Sequence, residues 1–123
     1  MIEFTIPRSL VMTSNHRLHW AVKARLTGDL RRIAGWYGRL PTAEKPSTLP
    51  VRAVVTFGYP DRRRRDHANL APTVKPIIDG LVDAGILPDD STRYPSGADP
   101  RIAYDDTVAA GNVSVTITFD HAM

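Results

Sequence analysis

Cysteine is absent from this chain, which excludes disulfide staples and thiolate metal sites and suits a reducing, cytoplasmic setting. Long apolar runs are missing as well. The opening MIEFTIPRSLVM has only Arg8 beside a short apolar stretch, so neither a secretory signal nor a membrane span is expected. With only four histidines and no cysteine, a zinc site is not expected. There is no glycine-rich phosphate loop, no nucleotide fingerprint, no Ser-His-Asp signature, no internal repeat and no low-complexity segment. What is present is the make-up of an ordinary globular domain: 123 residues, 42% hydrophobic and 24% charged. That length supports one core, so a single domain is expected over 1–123.

The net charge of +3 is modest, and its distribution is more informative. Arg62, Arg63, Arg64 and Arg65 are consecutive, and Arg17, Lys23, Arg25, Arg31 and Arg32 form a second basic group in the first third. The acids fall mostly after residue 78. A basic front and an acidic back suit a phosphate-binding surface beside a metal-binding cluster; a solvated arginine loop is the plain alternative.

Periodicity gives the element order. Residues 2–6 alternate apolar and polar up to Pro7, as a half-buried strand does. Ser14, Asn15 and His16 suit a turn and cap. Val22, Leu26, Leu30, Ile33 and Ala34 recur at helical spacing, predicting a helix over 18–37 ended by Gly38 and Pro41. Gly28 weakens its middle by about 1 kcal/mol relative to alanine. A proline-rich loop over 41–50 leads to a well-buried strand over 51–59. Val74, Ile77, Ile78, Leu81 and Val82 then mark an amphipathic helix between 69 and 84, with Gly85 as its C′ residue. Pro76 predicts either a start near Thr73 or a kink. A short strand around 102–104 and an alternating strand over 112–119 complete the order. The expected fold is α+β, a small mixed β-sheet with two helices packed against it, in the order β-α-β-α-β-β.

Asp61, Asp66, Asp89 and Asp90 flank the second helix. A helix of about sixteen residues is roughly 24 Å long. Its two ends meet at one site only if the entering and leaving chain fold back over the same sheet edge.

The block RRRRDHANLAPTVKPIIDGLVDAGILPDDS resembles the central motif of the RusA family of Holliday-junction resolvases, small homodimeric Mg²⁺-dependent endonucleases common in phages and prophages. The pattern is a basic run, an aspartate, Asn-Leu, a helix with Lys and Asp-x-Leu, Ala-Gly, then Asp-Asp. Here these are Arg62 to Arg65, Asp66, Asn69, Leu70, Lys75, Asp79, Leu81, Ala84, Gly85, Asp89 and Asp90. SNHRLHWAVKAR resembles the segment after the first strand in phage members, around Asn15, His19 and Trp20.

The resemblance implies a homodimer that resolves four-way junctions in DNA recombination and repair by hydrolysing phosphodiester bonds. Asp66 and Asp90 match the catalytic, metal-binding aspartates, with Asn69 or Asp89 as supporting ligands and Lys75 as the functional lysine. Mg²⁺, or Mn²⁺ in its place, would polarise the phosphate and activate water. Arg62, Arg63, Arg64 and Arg65 would hold the DNA backbone, joined by His16 and Arg17.

Two departures stand out. Ala68 replaces the second aspartate of the family's Asp-x-Asp-Asn, leaving Asn69, Asp89 or His67 to fill that ligand position, or a branched-DNA-binding protein with weak or lost catalysis. Lys75 lies further from Asn69 than in the best-known members, though it keeps its i, i+4 relation to Asp79. Each candidate also has a plainer role: Asp66 as a helix N-terminal acid, Asp89 and Asp90 as turn residues, Lys75 as a surface partner of Asp79, and Trp20, Trp36 and Tyr37 as core or interface aromatics.

Overall fold

The computed structural model describes residues 1–46, 51–88 and 98–121. Strand β1 (Ile2–Pro7) and a short 3₁₀ turn (Arg8–Leu10) precede helix α1 (Trp20–Gly38). Next come strand β2 (Val51–Tyr59), a second 3₁₀ turn (His67–Leu70) and helix α2 (Ala71–Asp83). Strands β3 (Ala98–Tyr104) and β4 (Asn112–His121) complete the chain. The fold is α+β in the expected order, with a four-stranded mixed sheet ordered β1-β4-β2-β3. β4 runs antiparallel to both β1 and β2, and β3 runs parallel to β2.

Alternation along the strands decides the faces. Phe4, Ile6, Val55, Phe57, Val113, Val115 and Ile117 turn to one core with Leu30 and Ala34 of α1 and Val74, Ile77 and Leu81 of α2. The stack of Phe4 on Tyr37, with centroids 4.9 Å apart, seats α1 against β1. The opposite face carries Thr5, Thr56, Thr116 and Thr118 and bears no helix among the described residues; Thr5 and Thr118 are exposed.

α1 and α2 cross closely because the contact has almost no side chain in it. A Cβ at Gly80 would meet the carbonyl oxygen of Arg31 and the methyl of Ala34, and one at Gly38 would sit 2.8 Å from the Ala84 Cβ. Arg31 then clamps both oxygens of Asp83 at 2.6 and 2.8 Å, which holds that aspartate below the usual carboxylate range, chiefly through the hydrogen bond itself.

Several boundaries differ from the periodicity. α1 starts at Trp20 rather than at residue 18, since the His19 side chain caps it by accepting the Ala21 N–H. α2 starts earlier than Thr73, at Ala71, and runs through Pro76, which is buried inside it. The backbone bond Pro76 forfeits would have gone to Pro72, in the first turn. β3 spans Pro100 because it pairs with β2 on one side only, as an edge strand, where a missing N–H is tolerated.

α2 closes as its glycine predicts. Gly85 has φ of +79°, its N–H bonds the carbonyl of Val82, and Ile86 N–H bonds that of Leu81, both at 3.0 Å. Ile86 and Leu87 are buried just beyond. No helix among the described residues is long and apolar enough to cross a membrane.

Candidate functional site

The end of β2 delivers Tyr59, Pro60 and Asp61 to the edge of the sheet, and Asp61 organises the arginine loop beyond it. Its carboxylate accepts from Arg65 at 2.8 and 3.2 Å, from Arg8 at 3.0 Å and from the backbone N–H of Arg63 at 3.0 Å. The Arg65 donors, then the Arg63 N–H, hold Asp61 far below the usual carboxylate range. Beneath them lies the buried Tyr59 ring, with the Arg65 guanidinium 3.7 Å and that of Arg8 5.5 Å from its centroid. Burial raises the Tyr59 pKa, against the opposing effect of the two arginines.

The arginine run therefore divides. The Arg65 side chain is only 16% exposed, so it braces the loop instead of facing solvent with the others. Arg62 lies over Tyr104, 4.1 Å from the ring centroid, at the end of β3. Arg63 and Arg64 are exposed.

Asp66 is exposed and extended, and its Oδ1 accepts the Ala68 N–H at 3.0 Å, capping the 3₁₀ turn that leads into α2. The plain structural role of this aspartate is thus realised, on a side chain that still faces solvent. The Asn69 carbonyl accepts the Ser14 N–H at 2.9 Å. One layer deeper, the buried Thr73 hydroxyl accepts the Met12 N–H at 2.7 Å and donates to the Met12 carbonyl at 2.6 Å. These bonds pin the loop after β1 to the start of α2.

Between the two lies an open cleft of about 280 Å³, lined by Thr13, Asn15, Arg64, Arg65, Asp66 and Asn69 above Tyr59, Leu70 and Ile102. Asp66 is the one carboxylate lining it among the described residues. Among the described residues no three of histidine, aspartate or glutamate gather as a metal site. Asp89 and Asp90 lie outside the described residues. Ala68 and His67 are exposed beside the cleft-lining residues, and neither lines the cleft. Lys75 does not line it either; it is an exposed residue of α2 paired with Asp79 at 2.7 Å. His16 closes the 13–16 turn, its N–H bonding the Thr13 carbonyl at 3.1 Å, and both His16 and Arg17 are exposed.

The bracing by Asp61 and Thr73 has little sequence signal. The spacing of Asp61 and Arg65 could have suggested the first pair, and a threonine within the apolar face of α2 could have marked the second. Arg8 and Tyr104 join the site only through the tertiary fold.

No protein-family model matches the chain, and no curated protein sequence matches it. The likeness to RusA resolvases rests on the motif residues themselves.

Proposed function

We propose that the chain is a Mg²⁺-dependent, structure-selective endonuclease for four-way and other branched DNA, acting in the cytoplasm as a homodimer. The observation that carries this reading is one cleft with Asp66 and Asn69 on its wall, Arg64 beside them and exposed Arg63 next in the chain. A polymer phosphate is the ligand such an open, cation-edged cleft suits, since it needs charge and access rather than enclosure.

Carboxylate and amide oxygens are the donors a hard Mg²⁺ takes, so Asp66 and Asn69 fit it. In this reading Asp90, with Asp89 in support, completes the set from beyond α2. Asp66 and Asn69 would hold Mg²⁺ or Mn²⁺ there, which would supply Lewis-acid polarisation of the phosphate and an activated water. The chain's own groups do the rest: Arg63, Arg64, His16 and Arg17 hold flanking phosphates, while Lys75, paired with Asp79 and off the cleft, takes no step in this reading. A two-fold homodimer would present two such clefts to two like strands.

A second reading, a branched-DNA-binding protein with weak or lost catalysis, is favoured by the exposed methyl of Ala68 at the family's second aspartate position.

A synthetic four-way junction incubated with and without Mg²⁺ tests both. The nuclease reading expects binding in either condition and nicking only with metal. Binding with no nicking supports the second reading. Equal affinity for junction and linear duplex contradicts both.

A further inference from the structure

The loop after β1 and the start of α1 carry charge of one sign. From residue 4 to residue 28 the chain has Arg8, Arg17, Lys23 and Arg25 and no aspartate or glutamate. Arg8 is committed to Asp61, whereas Arg17, Lys23 and Arg25 are exposed.

Trp20 stands in the middle of this basic stretch, 77% exposed in the first turn of α1. An indole is a large apolar surface to leave in water, and more than three quarters of this residue is accessible. Its setting is nevertheless ordered. His19 caps the helix through Nδ1, and its ring packs against the indole at 5.5 Å, tilted by 32°. The loop that leads to it is pinned at Met12 by Thr73 and at Ser14 by Asn69, and its Thr13 and Asn15 line the same cleft as Asp66.

We infer that Trp20 is a stacking platform for an unpaired nucleobase, with Arg17 and Lys23 holding the phosphates on either side of that base. The inference rests on the DNA-cleaving reading and adds a source of selectivity to it. Phosphate contacts are alike on duplex and branch, and so cannot tell them apart. A base inside a duplex has both faces covered by its neighbours, whereas an unpaired base offers a free face to an aromatic ring. Trp20 would therefore favour the open strands of a branch point over continuous duplex.

The chain has two tryptophans, so Trp36→Phe leaves Trp20 as the sole indole fluorophore. This protein is titrated without divalent metal, at fixed salt, with oligothymidylate, a four-way junction and a blunt linear duplex. The expected result is quenching of Trp20 by the first two and not by the duplex. Trp20→Ala should weaken oligothymidylate binding about tenfold, Trp20→Phe should retain most of it, and duplex binding should not change. Equal affinity of Trp20→Ala and its parent for oligothymidylate overturns the inference. So does Trp20 emission that shifts with protein concentration in the absence of DNA, which puts the indole between two copies of the chain.

Nicking of the junction is scored separately. Quenching and lost affinity without metal-dependent cutting keep the stacking site and overturn the nuclease reading. Cutting with an unquenched Trp20 overturns the stacking site alone.

Discussion

Arg65 closes two guanidinium nitrogens on the two carboxylate oxygens of Asp61, at 2.8 and 3.2 Å. The pair stands on the Tyr59 ring and is joined by Arg8, so it ties the end of β1 to the loop that carries Asp66. One of four consecutive arginines is thereby held rigidly at the cleft wall while its neighbours stand in solvent.

Asp61→Asn should weaken the fold in a pH-dependent way. The folded pKa of Asp61 lies below its ordinary value of 3.8. Its contribution is therefore complete above that value and is lost as pH falls through it toward the depressed folded pKa. Thermal midpoints of parent and variant should differ by a constant amount near neutral pH and converge below about pH 4. A gap that persists unchanged into acid contradicts the assignment.

The arginines should separate by function. Arg63→Ala with Arg64→Ala should leave the thermal midpoint unchanged and weaken DNA binding, lowering the slope of log affinity against log salt by about 2. Arg65→Ala should do the reverse in kind, lowering the midpoint first. Salt titration of duplex binding, paired with thermal unfolding, reads both.

Thr73→Val keeps the volume of the side chain and removes its hydroxyl. The buried N–H and carbonyl of Met12 then lose their partner, at a cost of about 1–3 kcal/mol. Urea unfolding measures the loss, and faster hydrogen exchange at the Met12 amide should accompany it.

Two glycines should respond oppositely to alanine. Gly80→Ala forces α1 and α2 apart and should cost about 1–3 kcal/mol. Gly28→Ala meets only the flexible Arg32 side chain and should stabilise α1 by about 0.5–1 kcal/mol. Denaturant midpoints of the two variants check the sign of each.

The element order was legible because strand and helix periods are local properties. Val74, Ile77 and Leu81 face the core as their spacing demands, and Gly85 takes the left-handed conformation its position after α2 required. Pro100 concealed the extent of β3, because a proline is tolerated only when the strand is an edge, and that is a tertiary fact. Of the motif residues, Arg64, Asp66 and Asn69 meet at one cleft, and the bracing behind them was not legible. Arg8 and Asp61 are 53 positions apart, and Met12 and Thr73 are 61 apart, so no local pattern joins them. Arg65 differs from its three neighbours because Asp61 lies four residues before it.

In the proposed function the Asp66 carboxylate serves cleavage as well as the fold. Asp66→Asn separates the two, because the asparagine oxygen can still accept the Ala68 N–H while the charge is gone. Single-turnover cleavage of a four-way junction in Mg²⁺ should fall by at least about a hundredfold in this variant, with its junction affinity and thermal midpoint retained. Cleavage at the parent rate by Asp66→Asn contradicts the account.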